Sequence, residues 1–256
     1  MKTITRLHTT PKTYSMCLRN GVEVFTRELI NCLFDFKYSQ EYVSEVKQKF
    51  FTILERLAIE NKEFYWSEFK EAFPEIRKKL DLDAKAALDN DPAAKSLEEV
   101  YLAYPGFYAI VVYRLSHKLL TLNLPILPRM MSEFAHSVTG TDIHPGAEIG
   151  ESFFIDHATG IVIGETTVIK NNVQIFQGVT LGGLQVKKSL ASTKRHPTIE
   201  NNVIIYANAT ILGGNVSIGQ NSIVGANVCL TESLPPNSVV TVESNNVISK
   251  RKNYEN

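Results

Sequence analysis

Residues 161–183 read IVIGETTVIKNNVQIFQGVTLGG, and an aliphatic side chain recurs at every sixth position of this stretch. The positions are Ile163, Ile169, Ile175 and Leu181. A surface helix repeats its apolar positions about every 3.6 residues and a half-buried strand about every two, so neither explains a period of six. A six-residue period is the signature of a parallel β-helix built from hexapeptide repeats.

The same period extends through the second half of the chain. The aliphatic positions are Ile143, Ile149, Ile155, Ile163, Ile169, Ile175, Leu181, Ile199, Ile205, Ile211, Ile218, Val224 and Leu230. Each hexapeptide is expected to form a short strand and a tight corner, so three of them make a triangular coil of about 18 residues. The aliphatic side chains then point into the prism, and successive coils stack about 4.8 Å apart. The asparagines of KNNV, ENNV, GQNS and GANV suit the corners, since asparagine and glycine accept positive φ more readily than other residues. A β-sandwich with accidental spacing is the alternative.

Two large breaks interrupt the period. Ile155 and Ile163 are eight residues apart, two more than the repeat allows, and the stretch DHATG at 156–160 lies between them. From Leu181 to Ile199 the sequence GGLQVKKSLASTKRHPT has no hexapeptide character. We expect a bulge at the first break and an excursion from the prism at the second. Departures from a regular fold are often functional sites.

The first half of the chain has a different composition. Residues 1–138 contain 2 of the 14 glycines and 19 of the 24 aromatic residues, which indicates a separate architecture. Residues 21–36 and 39–60 keep an apolar stripe at helical spacing, Asp91–Pro92 is interpreted as a helix N-cap and first helical residue, and 107–120 predicts another helix. We therefore predict an α+β fold with an all-α helical domain at 1–138, a left-handed parallel β-helix at 139–243 and a C-terminal tail at 244–256.

The composition narrows the function classes. The chain of 256 residues carries 27 basic and 27 acidic residues, and zero net charge favours neither nucleic acid nor an anionic membrane as a partner. The basic cluster QVKKSLASTKRHP is either a solvated loop or a site for an anionic ligand. Cys17, Cys32 and Cys229 fit neither a metal site nor a disulfide framework. No signal peptide and no stretch long enough to span a bilayer is evident, so we expect a cytoplasmic protein.

Titratable residues cluster around the breaks. Asp156 and His157 lie in the first break, Arg195 and His196 lie at the end of the second, and Asp142 precedes His157 by fifteen residues. A bulged coil would bring Asp142 near His157 on an adjacent turn, where a carboxylate fixes the tautomer of an imidazole and stabilises its charged form. Such a pair has the chemistry of a general base. Each of these residues also has a structural interpretation, as a hydrogen-bonding residue at a corner.

Seven motifs follow one another between roughly residues 80 and 240: NDPAA, PGFYAIVVYRLSHKL, DIHPGAEIG, DHATGIVIGETTVI, VTLGG, KRHPTIE and ILGG. In this ordered set the chain resembles the serine O-acetyltransferases, which are hexapeptide-repeat acyltransferases. The resemblance implies transfer of acetyl from acetyl-CoA to L-serine, giving O-acetyl-L-serine and CoA, the first step of cysteine biosynthesis from serine. It also implies inhibition by L-cysteine at the serine site, with acetyl-CoA as co-substrate and no permanently bound cofactor or metal.

The resemblance also implies roles for individual residues. His157 would be the base that takes the proton of the serine hydroxyl, and Asp142 would orient it. The residues that would hold the amino acid are Asp91, Asp156, Arg195 and His196. The residues that would lie against acetyl-CoA are Gly182, Gly183, Ala207, Gly225 and Ala226.

The family forms its site between neighbouring subunits, so the resemblance implies a homotrimer or a dimer of trimers that pair through the helical domains. Members that bind O-acetylserine sulfhydrylase typically end in isoleucine, whereas this chain ends in Asn256, so we do not expect that complex. The C-terminal tail offers Lys250, Arg251 and Lys252 as contacts for CoA instead.

Three other functions are compatible with the residues alone. One is a sugar O-acetyltransferase of the same fold, which would keep His157 as the base. Another is an enzyme of the carbonic anhydrase type, with zinc bound by His144, His157 and His196 at a trimer interface. The third is a scaffold without catalytic activity. The sequence contains no nucleophile elbow, P-loop or GxGxxG motif, so direct transfer without a covalent enzyme intermediate is expected for an acyltransferase.

Overall fold

The computed structural model describes residues 16–34, 40–184 and 192–243. The N-terminal part of the described chain is helical, with α1 Cys17–Phe34, α2 Gln40–Arg56, α3 Lys62–Glu71, α4 Phe73–Asn90, α5 Leu97–Ala103, α6 Pro105–Thr121 and α7 Leu127–Thr139. These helices bury the apolar stripes that the sequence predicted; Phe25 and Leu29 of α1, for example, are fully buried. The predictions for the C-terminal tail and for most of the 184–194 excursion concern residues outside the described ranges.

Short strands follow α7. Their bounds are β1 Asp142–Ile143, β2 Glu148–Ile149, β3 Phe154–Ile155, β4 Val162–Ile163, β5 Val168–Ile169, β6 Gln174–Ile175, β7 Thr180–Gly182, β8 Thr198–Ile199, β9 Ile204–Ile205, β10 Thr210–Leu212, β11 Ser217–Ile218, β12 Ile223–Val224, β13 Cys229–Leu230 and β14 Val239–Val240. Every ladder between them is parallel, which is how a chain pairs when it winds in one direction.

The strands form three sheets, which are the faces of a prism. Face A contains β1, β4, β7, β10 and β13; face B contains β2, β5, β8 and β11; face C contains β3, β6, β9, β12 and β14. The corners are named A–B, B–C and C–A, after the faces that they join in chain order. Of the thirteen predicted inward residues, only Ile149 and Leu230 are not fully buried. The predicted fold, helices followed by a hexapeptide-repeat β-helix, is confirmed.

The pairing of strands gives the length of each coil. Val162 pairs with Thr180, eighteen positions further along the chain. Asp142 pairs with Val162, twenty positions along, so the first coil contains two extra residues. Val168 pairs with Thr198, thirty positions along, so the excursion adds twelve residues at an A–B corner. Both breaks in the sequence period therefore correspond to departures from the regular coil.

Asparagines line the B–C corner. Asn172, Asn202, Asn221 and Asn237 have φ between 56° and 58°, in the left-handed region that asparagine tolerates better than most residues. The side-chain amides of the first three each donate to the amide oxygen of the asparagine in the next coil, at 3.2, 2.9 and 3.0 Å. This ladder confirms that asparagine occupies corners, as the sequence predicted.

A buried ion pair joins the helices to the first coil. Arg114 of α6 donates to both carboxylate oxygens of Asp83 in α4, at 2.6 and 2.8 Å. Its guanidinium also donates to the carbonyl oxygens of Ile149 and Gly150, while Asp83 accepts the N–H of Phe153 at 2.9 Å. Since a buried pair is tolerated only when its remaining polar atoms are satisfied, these backbone bonds set how α6 docks on the β-helix.

The start of α6 lies against β3. A Cβ added at Gly106 would lie 2.3 Å from the carbonyl oxygen of Ile155, so only glycine fits at this approach. The contact brings Tyr104, two residues earlier, close enough for the charge of Asp156 to affect its hydroxyl.

One helix boundary differs from the prediction. Asp91 is not a helix N-cap, because α4 continues to Asn90 and α5 begins only after Ser96. The hydroxyl of Ser96 accepts the N–H of Glu99 at 3.1 Å and caps α5 instead. Asp91 folds a turn, its Oδ1 accepting the N–H of Ala93 at 2.8 Å, and its other oxygen faces a different donor.

None of the described helices is both long and apolar enough to cross a membrane.

Candidate active site

The two extra residues of the first coil are His157 and Ala158, at the C–A corner. Asp156 still donates its N–H to the next coil at 2.9 Å, as the first residue of a regular corner does. The carbonyl oxygen of Thr159 accepts the N–H of Gly178 at 2.9 Å, so regular pairing resumes there. Between these bonds, His157 (φ 57°) and Ala158 (φ 64°) both adopt the left-handed conformation that side chains disfavour. The predicted bulge is therefore formed by the histidine itself.

The bulge presents the imidazole of His157 to solvent. Its side chain is 69% exposed, and its Nδ1 lies 3.8 Å from Oδ1 of Asp156. Ala158, by contrast, is fully buried, and its carbonyl oxygen accepts the hydroxyl of Thr141 at 2.8 Å. An exposed imidazole beside a carboxylate is able to take a proton from a bound hydroxyl group.

A second carboxylate reaches this corner from the helical part. The Tyr104 hydroxyl donates to Oδ2 of Asp91 at 2.5 Å, and the N–H of Ala93 donates to Oδ1. These two hydrogen bonds lower the pKa of Asp91, and the proximity of the His157 imidazole lowers it further. The bond to Asp91, with burial and nearby charges that include Asp156, raises the pKa of Tyr104 to about 12. The electrostatic effects of His157 on Asp91 and of Asp156 on Tyr104 show that the Asp91–Tyr104 pair lies near the C–A corner.

Sequence reasoning missed Tyr104. In the sequence, Tyr104 only precedes Pro105 and Gly106, a pair that is typical of a break between two helices. Its partner Asp91 is thirteen residues away, across α5, and no spacing rule predicts that contact. The one available signal was chemical: a tyrosine hydroxyl usually finds a hydrogen-bond partner when its ring is packed.

Asp142 does not contact His157 in the single subunit. Its Oδ1 lies 3.7 Å from Nη1 of Arg129 in α7, and Arg129 also pairs with Glu133. Among the described residues, no hydrogen bond or ion pair joins Asp142 to His157. Their predicted partnership stays a prediction.

Arg195 and His196 lie at the A–B corner, where the excursion returns to the prism. Nδ1 of His196 accepts the N–H of Thr166 at 3.1 Å and lies 2.9 Å from its hydroxyl. Burial, and then the charge of Arg195, lower the pKa of His196 to about 4. The imidazole is therefore neutral near pH 7, and because Nδ1 accepts, the proton is assigned to Nε2. A Cβ at Gly164 would lie 2.1 Å from Nε2, so the ring packs directly on this glycine.

Arg195 is held through its side chain and its backbone, and the preceding Lys194 is anchored as well. The backbone N–H of Arg195 donates to the hydroxyl of Thr166 at 2.9 Å. Its guanidinium pairs with the carboxylate of Glu165. Although burial raises the pKa of Glu165, the hydrogen bond from Arg195 brings it below its ordinary value. The ammonium of Lys194 donates to the carbonyl oxygens of Thr166 and His196, both at 2.9 Å, and anchors the end of the excursion.

The predicted amino-acid contacts therefore form two groups at opposite edges of face A. Asp156 and His157, with Asp91 nearby, precede β4 at the C–A corner. Arg195 and His196 follow β7 at the A–B corner. The first group supplies carboxylates for an ammonium, and the second supplies a guanidinium for a carboxylate. Within the single chain, face A separates the two groups.

The residues predicted to contact acetyl-CoA fall at the same two corners. Gly182 ends β7 and Gly183 follows it, at the A–B corner. Ala207, Gly225 and Ala226 lie at the C–A corner, in the coils beyond the bulge.

Two stacked aromatic rings, Phe176 and Tyr206, lie at the C–A corner in the two coils that follow the bulge. Asp156, Phe176 and Tyr206 each follow a strand of face C in successive coils, and each donates its N–H to the next coil. The ring centroids of Phe176 and Tyr206 are 4.9 Å apart with an interplanar angle of 23°, and Tyr206 is 40% exposed. An aromatic surface therefore extends from the Asp156 carboxylate towards Gly225.

Within the described ranges, no group of three or more His, Cys, Asp or Glu side chains is arranged to hold a metal ion. Of the three histidines considered for zinc, His144 lies within electrostatic range of His196, whereas His157 lies at the other corner.

Comparison with known proteins gives a consistent result. No protein-family model matches the sequence. The chain is 49% identical over 178 residues to a plasmid serine acetyltransferase of Synechococcus elongatus, covering 68% of this chain and 56% of that relative. It is 45% identical over 168 residues to the serine acetyltransferase of Mycobacterium tuberculosis, covering 66% of this chain and 71% of the relative. The match thus spans little more than half of the Synechococcus relative.

Solved structures of the same kind of enzyme share the fold. Serine acetyltransferase isoform 3 of Entamoeba histolytica, in complex with cysteine, has a TM-score of 0.79 at 34% identity, covering 90% of this chain and 84% of that one. The Brucella abortus enzyme in complex with coenzyme A has a TM-score of 0.67 at 32% identity, covering 90% and 83%. The Neisseria gonorrhoeae enzyme in complex with serine has a TM-score of 0.64 at 29% identity, covering 91% and 97%.

Proposed function

The chain belongs to the serine acetyltransferase family, and from this premise we propose that it transfers the acetyl group of acetyl-CoA to the hydroxyl of L-serine. The products are O-acetyl-L-serine and CoA, and the reaction is the first step of cysteine biosynthesis from serine. The observation that carries the proposal is the exposed imidazole of His157 on its two-residue bulge, with the carboxylates of Asp156 and Asp91 beside it.

His157 acts as the general base. It takes the proton of the serine hydroxyl while that oxygen attacks the carbonyl carbon of the thioester. The tetrahedral intermediate then expels the CoA sulfur as the C–S bond breaks, and the imidazolium returns its proton to the thiolate. Base assistance of this kind contributes roughly 10²–10⁴ in rate. Juxtaposition of the two substrates and backbone N–H donors to the oxyanion supply the rest.

The two residue groups bind opposite ends of serine. Asp91 and Asp156 take the ammonium, and Arg195 takes the carboxylate. His196 donates from Nε2 as a neutral imidazole, since its Nδ1 is occupied by Thr166. Arg195 keeps Glu165 as a partner, and this ion pair holds the guanidinium at the A–B corner where the substrate carboxylate would bind.

The site is completed by a neighbouring subunit of a homotrimer. Face A lies between the two groups, so three copies that turn face A towards a common axis bring the C–A corner of one against the A–B corner of the next. His157 of one subunit then meets Arg195 of another, which no single chain achieves. A dimer of such trimers, paired through the helical parts, is the larger assembly that we propose.

Acetyl-CoA lies in the same cleft between subunits. Its pantetheine arm follows the C–A corner past Ala207, Gly225 and Ala226, with the rings of Phe176 and Tyr206 beside it. Gly182 and Gly183 of the facing subunit supply a surface without side chains for close approach.

Asp142 orients His157 once the trimer forms. In the single chain its carboxylate is engaged by Arg129, so assembly or substrate must shift that arginine for Asp142 to reach the imidazole. Steady-state kinetics of Asp142→Asn test this role, with a lower kcat expected.

L-Cysteine inhibits by occupying the serine site. It carries the same ammonium and carboxylate, and its thiol replaces the hydroxyl, so every contact proposed for serine applies to it. We do not propose a complex with O-acetylserine sulfhydrylase.

A thiol-release assay tests the function. Acetyl-CoA is incubated with the protein and a panel of L-serine, L-threonine, L-homoserine and acetyl-accepting sugars, and free CoA is measured. Release with L-serine in preference to the others is expected. A sugar that exceeds serine would instead support the sugar O-acetyltransferase, against which the names of the relatives already argue.

A further inference from the structure

Asp91 sits in a loop, yet two donors fix its carboxylate. The loop lies between α4 and α5, and the Ala93 N–H donates to Oδ1 at 2.8 Å. The second donor, the Tyr104 hydroxyl, lies 2.5 Å from Oδ2 and comes from the other end of α5. Without it, a loop carboxylate would sample several rotamers.

Tyr104 is itself well placed to hold that oxygen. Its backbone is extended (φ −82°, ψ 114°) immediately before Pro105, the first residue of α6. The close approach of Gly106 to Ile155 fixes the start of that helix against the first coil. The ring position is therefore set by the docking of α6 and not by the loop that carries Asp91.

We infer that Tyr104 is a positioning residue for the substrate ammonium, which it serves by holding Oδ2 of Asp91 so that the carboxylate faces the His157 corner. The inference rests on the proposed function, since Asp91 matters here as a contact for serine. The hydroxyl stays protonated at every working pH, because the pKa of Tyr104 is raised to about 12, so it donates throughout.

The chain contains a matched control for this bond. Tyr101, which lies on α5, donates its hydroxyl to Oδ1 of Asp81 at 2.7 Å, and its pKa is also raised to about 12. That pair packs with Arg77 and Phe34, away from the C–A corner. Tyr101→Phe therefore removes the same kind of hydrogen bond without touching Asp91.

The test compares steady-state kinetics of Tyr104→Phe, Tyr101→Phe and the unaltered full-length protein. Tyr104→Phe is expected to raise KM for serine about tenfold, as loss of a hydrogen bond to a charged group does. We expect kcat within about twofold and an unchanged KM for acetyl-CoA, because ammonium binding is the step affected. Tyr101→Phe is expected to match the wild type in all three.

A pH profile supplies a readout that a purely structural role would not move. The Tyr104 hydrogen bond lowers the pKa of Asp91, so its removal raises that pKa towards the ordinary value. Binding of L-serine, measured without acetyl-CoA so that proton transfer to His157 does not set the pH dependence, should then weaken at a higher pH in Tyr104→Phe than in the wild type, and Tyr101→Phe should match the wild type. In a double-mutant cycle, adding Tyr104→Phe to Asp91→Asn should have little further effect, since the carboxylate is already gone.

The outcomes separate the two proposals. If the wild type fails to release CoA with serine, the proposed function and this inference both fall. If the wild type is active but Tyr104→Phe keeps a serine KM within about twofold, only this inference is overturned. Equal increases in KM for serine and acetyl-CoA, or additive effects with Asp91→Asn, would also overturn it.

Discussion

The buried hydroxyl of Thr141 donates to the carbonyl oxygen of Ala158 at 2.8 Å, which ties the bulge of the first coil to the residue before β1. Ala158 is the inner half of that bulge and His157 the outer half. Since both residues hold a left-handed backbone that costs energy, the surrounding contacts must maintain it. This hydrogen bond is one of those contacts, and it lies beneath the proposed base.

Thr141→Val is therefore expected to lower both stability and turnover. The substitution keeps the shape but leaves the buried carbonyl oxygen of Ala158 with only the N–H of Ile161 as a donor, 3.4 Å away, which costs about 1 kcal/mol of unfolding free energy. The looser bulge should also lower kcat, with less effect on KM for acetyl-CoA. Urea unfolding and steady-state kinetics measure the two effects.

Thr167 provides the matched control. Its side chain is fully buried, and its hydroxyl has no hydrogen-bond partner among the described residues. Thr167→Val should leave stability and kcat at wild-type values or raise stability slightly. Equal behaviour of the two variants would show that the Thr141 bond does not maintain the bulge.

Tyr206→Ala is expected to weaken binding of acetyl-CoA alone. The ring is 40% exposed and stacks on Phe176 beside the proposed pantetheine path, so its loss removes apolar contact with the ligand. We expect KM for acetyl-CoA to rise about three- to tenfold, a loss of roughly 1 kcal/mol, while KM for serine is unchanged. Phe64→Ala, which removes an aromatic ring that is 57% exposed on α3, controls for loss of a surface ring. A Tyr206→Ala protein with unaltered KM for acetyl-CoA would place the arm elsewhere.

The lowered pKa of His196 is expected to make the protein less stable as the pH falls. Its pKa is about 4 in the folded chain against 6.5 for an ordinary histidine, so below pH 6.5 the unfolded chain binds the proton first. The stability contribution is complete above pH 6.5 and is lost as the pH falls towards about 4. In His196→Asn, whose amide oxygen can still accept the Thr166 N–H, Tm should therefore fall less steeply over that range.

Thermal melting at several pH values measures this slope. His136→Gln, which alters a histidine 45% exposed on α7, should follow the wild-type slope. If His196→Asn and the wild type show the same dependence on pH, the imidazole is not held neutral by its surroundings.

Mixing two inactive variants tests the shared site. Under the trimer proposal, His157→Ala removes the base from one corner and Arg195→Ala removes the carboxylate contact from the other. Trimers that contain both variants regain some sites with an intact His157 and an intact Arg195. Random mixing at equal amounts should restore about a quarter of the wild-type activity, because two independent choices of subunit must both be favourable.

Co-expression and copurification through two different affinity tags supply the mixed trimers free of homotrimers, and because each then contains one intact site in three, the purified material should have about a third of the wild-type activity. Each variant refolded or purified alone is the control and should remain inactive. Mixed trimers without activity would mean that each subunit builds its own complete site, contrary to the split between the A–B and C–A corners.

The fold was predictable because a period of six is a direct consequence of the coil. Residues such as Ile163 and Leu181 point inward for the same reason that they recur, so the spacing carries the geometry. The count from Ile155 to Ile163 located the two-residue excess. It did not show that His157 and Ala158 are the extra pair, because backbone hydrogen bonds decide which residues leave the coil.

The site was less predictable where it depends on contacts between distant elements. The Asp–Pro pair at 91–92 favours a helix start, whereas α4 extends to Asn90 and no helix begins at Asp91. The carboxylate of Asp91 instead accepts the hydroxyl of Tyr104, from the other end of α5. Tyr104 became a partner of Asp91 only through the docking of α6. His157 and Arg195 lie at different corners because one precedes and the other follows the strands of face A. The six-residue spacing alone does not predict this separation.

The central claim is that His157 is the base, and the most direct measurement is the turnover of His157→Ala with saturating L-serine, together with the Kd for acetyl-CoA. If His157 is the base, kcat should fall by about 10²–10⁴, while Kd for acetyl-CoA should change by less than about twofold, because the imidazole acts on the hydroxyl and not on CoA. A His157→Ala protein that keeps near-normal kcat would contradict it.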